Sequence, residues 1–184
     1  MIVRDLVTVR LRLEPWQLSH GDLLVRLSAL PEVMRYVGDG TPWTAAEARE
    51  HAERAFAHWR EHGFGWRRAV ERAGGRPVGM VALELTRHVP GLDDGEHEIG
   101  WWLDPAVWGR GYATEAGRAI VAEAFGRVQA PSVVARIQPG NAASLAVARA
   151  LGLTYERDAV GRRSEPVRIL RLEATAASIR PRCG

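Results

Sequence analysis

The clearest chemistry in this sequence lies in one short stretch, Trp108-Gly-Arg-Gly-Tyr-Ala113, followed by Thr114-Glu-Ala116. Gly109 and Gly111 let the main chain approach a ligand closely, because no Cβ stands in the way. From Gly111 onward, Ala113, Ala116, Ile120, Val121, Ala124 and Phe125 recur at helical spacing, which predicts a helix of about four turns. A helix start presents unpaired N–H groups and the positive end of the dipole. Together these features describe a seat for a phosphate or pyrophosphate. The two nucleotide patterns that would specify the ligand are absent. There is no GxxxxGK[ST] and no lysine in the chain, and Thr114 stands where GxGxxG needs its third glycine. By itself the turn also fits a ligand-free junction between strand and helix.

A second candidate chemistry is metal binding. His51, His58 and His62 fall near one line of a helix, and His58 and His62 have the HxxxH spacing. The glutamate of HExxH is missing, since Trp59 follows His58. Solvated histidines along the helix edge are the better reading, and no metal is expected.

These residues need a scaffold. With 184 residues and 46% hydrophobic content, the chain reads as one domain over 1–184, with its core about 7–172 and a frayed tail over 174–184. The formal charge is +3, carried by scattered arginines without a basic run, so nucleic acid is not an expected partner. The lone cysteine, Cys183, fits a reducing cytoplasm, and no apolar run is long enough for a membrane span. The N-terminus does not read as a signal peptide.

Val7–Leu13 alternates like a half-buried strand. Two short helices follow over 22–37, the second with Pro31 at its first position. Thr44 and Glu47 form a capping box for a helix running to about His62, whose apolar stripe is Ala45, Ala48, Ala52, Ala55, Phe56 and Trp59. Gly65–Arg72 and Arg76–Leu85 read as a hairpin. The central strand is Glu98–Leu103, and Gly100 within it suggests a bulge that frees backbone groups for a ligand. Ser132–Gln138 is a further strand. Asn141 caps a helix to Leu151, which Gly152 ends, and two last strands cover 153–157 and 167–172. This order describes a mixed α/β sheet with helices on its faces.

Three segments carry a resemblance: LRLEP with PEVMRYVG near the start, EIGWWLDPAVWGRGYATEA in the middle, and NAASLAVARALGL over 141–153. The chain resembles the GNAT superfamily of acyl-CoA-dependent N-acyltransferases, specifically its RimJ/RimL-like branch, over almost its whole length. The resemblance implies a central twisted mixed sheet of about six to seven strands, with acetyl-CoA as co-substrate and an amine as acceptor. The coenzyme A pyrophosphate would rest on backbone N–H groups of Trp108, Gly109, Arg110, Gly111, Tyr112 and Ala113, extending to Thr114. Arg110 would lie near the phosphates. The pantetheine arm would pair with Trp102 and Leu103, and Asn141 would touch its amides. Glu98 would be the general base. Ser144, in NxxS, would face the sulfur, since Ala148 stands where many members have a tyrosine. A backbone N–H on the central strand would hold the oxyanion.

The acceptor stays open: a protein N-terminal α-amine, or a small amine such as an aminoglycoside or polyamine. Trp43, Trp59, Trp66, Trp101 and Trp102 are candidates for an aromatic groove, and Asp93, Asp94 and Glu96 for attracting a cation. A homodimer is a further expectation. A silent acyl-CoA-binding module and a nucleotide binder are the rival functions.

Overall fold

Among the described residues the sheet has a single parallel junction, between the strand that leads into the glycine-rich turn and its neighbour. A computed structural model describes residues 4–175; the expected tail from residue 176 on, with Cys183, lies outside the described residues, while Ala174 still donates to the Pro131 carbonyl at 2.8 Å. The strands are β1 (Leu6–Val7), β2 (Leu11–Pro15), β3 (Arg67–Glu71), β4 (Pro77–Leu85), β5 (His97–Leu103), β6 (Ser132–Ile137), β7 (Thr154–Val160) and β8 (Pro166–Glu173). They form one 8-stranded sheet in the order β1-β2-β3-β4-β5-β6-β8-β7. All pairings are antiparallel except β5 with β6, which meet in parallel at Glu98 and Val134 and then diverge.

The sheet therefore exceeds the expected six to seven strands. The stretch read as one strand over Val7–Leu13 is two, because the chain turns back at Thr8. The Thr8 hydroxyl bonds the Leu11 carbonyl at 3.1 Å, and β1 then pairs with β2. The expected bulge at Gly100 is also absent: β4 and β5 stay in continuous register from Gly79–Leu103 to Leu85–His97. What frees the β5 main chain is the divergence of β6.

Among the described residues five α-helices complete the fold: α1 (Gly21–Ser28), α2 (Pro31–Met34), α3 (Ala45–His62), α4 (Tyr112–Glu123) and α5 (Ala142–Ala150). The Thr44–Glu47 capping box opens α3, and Gly63, in the left-handed region, closes it. Neighbouring residues of an extended chain point to opposite faces, which assigns each helix a side. Arg67 reaches Glu123 of α4, whereas Trp66 stacks edge-on with Trp16, whose indole N–H bonds the Ala52 carbonyl of α3. Likewise Trp101 donates to Ser144 of α5, while Trp102 meets Trp43 beside the start of α3. So α4 and α5 cover one face and α1 and α3 the other. Leu11, Leu13, Leu24, Leu27, Leu83 and Ile120 are among the fully buried side chains.

One charged pair lies inside this core. Arg67 and Glu123 are almost wholly buried and joined by bonds of 2.6 and 2.9 Å; Arg67 also donates to the Leu13 carbonyl, and Arg127 to Glu123. Those extra donors and acceptors satisfy groups that burial would otherwise leave bare. Among the described residues no helix is long and apolar enough to cross a membrane.

The α3 histidines are packed rather than solvated. His51 stacks on Trp43, and His58 accepts from the Leu85 N–H through Nε2 while Nδ1 faces the Phe64 carbonyl at 2.9 Å. With both ring nitrogens of His58 committed, no lone pair remains for a metal. The described residues contain no group of three metal-ligating side chains.

Candidate functional site

The turn before α4 is braced from behind and open in front. Asp104 accepts from the Ala106 N–H at 3.0 Å and pairs with Arg26, which fixes the exit of β5. Gly109 and Gly111 have φ of 75° and 76°, the left-handed region that disfavours side chains. Arg10 donates to the Arg110 carbonyl at 2.7 Å and to Glu115 at 2.6 Å, and lies over the Tyr112 ring. Tyr112 in turn bonds Glu71 at 2.9 Å. The Glu115 carboxylate, in the first turn of α4, is occupied by Thr8 and Arg10 and so does not block the helix axis. The N–H groups of Gly109, Gly111, Tyr112, Ala113 and Thr114 find no partner among the described residues. Several unpaired amides at a helix start form an anion seat. Arg110 is exposed, with its guanidinium unpaired among the described residues. Trp108 is 51% exposed, and its indole N–H donates to the Leu103 carbonyl at 2.8 Å, tying the turn to the end of β5.

Beyond Glu98, one edge of β5 is released from β6. Within an antiparallel ladder, main-chain groups alternate in direction. The Trp102 carbonyl faces β4, where a Cβ on Gly79 would meet it at 2.2 Å. The groups of Trp101 and Leu103 therefore face the gap. This corrects the expectation for Trp102, whose main chain points away from the gap and whose ring lies on the α3 face. The Leu103 carbonyl is already used by Trp108, leaving its N–H. At the gap's other wall, Asn141 accepts from the Ser144 N–H at 3.1 Å, which caps α5 and leaves the Asn141 amide hydrogens free. Ser144 Oγ accepts from Trp101 at 3.3 Å, so its own proton can go elsewhere.

On the α3 face, two carboxylates stand opposite each other: Glu84 of β4 is in register with Glu98 of β5. Glu98 is held by Arg136 through two bonds, of 2.9 and 3.2 Å. Glu84 has no such partner. Burial, then the nearby Glu98 charge, push its carboxyl up to about 7, while the Trp66 indole pulls the other way. That indole N–H makes no well-formed hydrogen bond, so its hold on Glu84 is weak. Glu84 was missed in the sequence, although a lone carboxylate inside the apolar run Val78–Leu85 was its signal. Beside these groups stands an aromatic wall. Trp43 and His51 stack at 3.8 Å with planes 8° apart, and Trp43 meets Trp102 at 5.1 Å. Burial and then Arg54 hold His51 down at about 4, so its ring is neutral at physiological pH. Of the five tryptophans considered for a groove, Trp59 and Trp66 belong to the core.

A sequence profile of the Acetyltransferase (GNAT) domain matches residues 10–154. The chain belongs to the GNAT acetyltransferase family. Its members use acetyl-CoA. The chain is 33% identical over 153 residues to the FsC-acetyl coenzyme A-N(2)-transacetylase of Aspergillus fumigatus, covering 80% of this chain and 64% of that protein. It thus spans under two thirds of that relative's length. Among solved structures, the acetyltransferase of Agrobacterium tumefaciens superposes with a TM-score of 0.80 at 26% identity, over 95% of this chain and 96% of that one. Mycobacterium smegmatis RimJ, solved in complex with CoA-disulfide, shares the fold with a TM-score of 0.69 at 19% identity, over 89% and 82%. The GNAT family and fold anticipated from the motifs are thereby found, and RimJ is among the proteins that share the fold.

Proposed function

We propose that this chain transfers the acetyl group of acetyl-CoA to a primary amine by direct attack in a ternary complex. The observation that carries the reading is the set of unpaired N–H groups at the start of α4, opening onto the gap between β5 and β6 with Glu84 beyond it. The free amides suit a pyrophosphate, and the released edge of β5 suits the amides of a pantetheine arm. Asn141 and Leu103 would contribute polar contacts there.

The chain's own groups supply the remaining chemistry. Glu84, directly or through a water, takes a proton from the attacking ammonium; at a pKa near 7 it is basic enough to do so at neutral pH. This moves the base role from Glu98, whose carboxylate is spent on Arg136 and whose charge raises Glu84. A β5 N–H facing the gap stabilises the oxyanion as the C–N bond forms. Ser144 donates a hydrogen bond to the departing sulfur as the C–S bond breaks. The amine's proton passes to solvent and the thiolate takes one up, so amine and thioester become amide and thiol. Much of the acceleration comes from holding the two reactants together.

The acceptor is a protein N-terminal amine or a small amine; the name of the Aspergillus relative, an N(2)-transacetylase, supports transfer to nitrogen. A thiol-release assay with acetyl-CoA and a panel of peptides, amino acids and polyamines tests the reading. Amine-dependent release supports it; CoA binding with no release across the panel would leave only a binding module.

A further inference from the structure

The α3 face of the sheet has an opening over its central strand. In the continuous β4–β5 ladder, Glu98, Gly100 and Trp102 project in turn from β5 on this face, opposite Glu84, Ala82 and Met80 of β4. A Cβ built on Gly100 meets no atom within 4 Å, and the residue is only half-buried although it lies in the middle of β5. The next glycine across the ladder is the opposite case: a Cβ on Gly79 would strike the Trp102 carbonyl at 2.2 Å. Gly79 has a positive φ, whereas Gly100 does not. What Gly100 supplies is therefore space rather than an unusual backbone.

Two chemically different ends bound this hollow. At one end stands Glu84, opposite the Glu98 that Arg136 holds. At the other, Trp102 lies 5.1 Å from Trp43 with planes 56° apart, and Trp43 is stacked on His51 at 3.8 Å. Trp43, His51 and Trp102 are all half-buried, resting on the core and keeping surface for a ligand. Alternate residues of a strand are about 7 Å apart, so one such step separates Gly100 from the carboxylates and another separates it from Trp102. A ring over Gly100 then reaches Glu84 through a linker of about two or three carbons. An extended acyl chain is the poorer occupant, because it would lay methylenes against a carboxylate. An aminoglycoside would set its hydroxyls against indole faces that offer them no partner.

We propose that this hollow selects acceptors with an aromatic ring two or three carbons from a primary amine, the ring lying over Gly100 against Trp102 and the ammonium reaching Glu84. The ring belongs either to a free arylalkylamine or to the first residue of a peptide. The proposal rests on the acyl-transfer reading of the same site. Ring stacking and burial of this kind are worth roughly tenfold to a hundredfold in kcat/KM.

The test measures kcat/KM for phenethylamine and tyramine against butylamine, and for peptides beginning with Phe against the same peptides beginning with Ala, with putrescine and kanamycin as controls. The wild type is expected to favour the ring-bearing members by roughly tenfold or more, and which pair responds identifies the source of the ring. Gly100→Val fills the hollow with a residue that suits a strand, so it should fold at least as well as wild type and bind CoA unchanged while that ratio falls towards one. Trp43→Leu removes the stack from the other side and should lower the same ratio, which keeps the test valid if Gly100→Val does not fold. A wild type indifferent to the ring overturns the proposal. So does one that favours kanamycin, or putrescine, whose second ammonium would lie over an indole face. A preference that survives in Gly100→Val also overturns it. Butyryl-CoA turned over as fast as acetyl-CoA by wild type, but not by Gly100→Val, would give the hollow to the acyl chain and overturn it as well. If no amine is turned over, the transferase reading fails separately. Phenethylamine and butylamine are then titrated into the CoA-loaded protein and followed by tryptophan fluorescence. Tighter binding of phenethylamine, lost in Gly100→Val, sustains the ring site; equal or undetectable binding refutes it.

Discussion

Replacing Glu84 by Gln should abolish most activity and yet stabilise the protein above neutral pH. The carboxyl is held at about 7 against an ordinary 4.5. Below pH 4.5 it is protonated in the folded and unfolded chain alike, and it costs the fold nothing. Between 4.5 and 7 the unfolded chain ionises while the folded one resists, so stability is lost as pH rises. The difference of about 2.5 pH units, at 1.36 kcal/mol each, sets an upper limit near 3 kcal/mol; partial solvent access lowers it to about 1–3 kcal/mol. Gln keeps the shape and an acceptor for Trp66 but never ionises. Urea denaturation at pH 5 and pH 8 should show the variant's advantage growing with pH, and at pH 8 its melting temperature should rise by roughly 2–10 °C. In a pH–rate profile, wild-type kcat/KM should fall below a midpoint near 7, and the variant should lose about 10²–10⁴-fold with that limb gone. A variant less stable than wild type at pH 8, or one that keeps the acidic limb, would refute the assignment.

Gly111→Ala should strain the left-handed turn by about 1–2 kcal/mol, its methyl meeting the bracing Arg10 guanidinium rather than the ligand, and so shift the amides of the phosphate seat; calorimetry should show acetyl-CoA binding weakened by more than tenfold. Ser144→Ala should lower kcat by about tenfold with little change in acceptor KM, and an unchanged kcat would remove Ser144 from the reaction. Arg67→Met leaves Glu123 buried without its main partner and should destabilise the fold by about 3–5 kcal/mol in denaturant melts, a loss that Glu123→Leu in the same chain should partly restore.

The local signals in the sequence proved strong. The Thr44–Glu47 box, the Asn141 cap and the glycines at 109 and 111 each act within a few residues, and each stands where its chemistry required. Long-range effects were not legible. Nothing in the alternation of Val7–Leu13 tells that Thr8 turns the chain back. Gly100 suggested a bulge because a strand glycine often marks one, whereas the open edge arises from strands related only by topology. Glu98 was the conspicuous carboxylate, yet its pairing with Arg136 joins residues 38 apart in sequence. Glu84 acquires its raised pKa from neighbours on other strands and helices. Periodicity marks which residues are inside, but it does not show which of two facing carboxylates receives the arginine.

The most direct measurement is a crystal structure of the protein with bound acetyl-CoA. The account expects pyrophosphate oxygens within hydrogen-bonding distance of N–H groups among Gly109–Thr114, and the thioester lying in the gap between β5 and β6 on the way to Glu84. A pyrophosphate seated elsewhere, with those amides still unpaired, would contradict it.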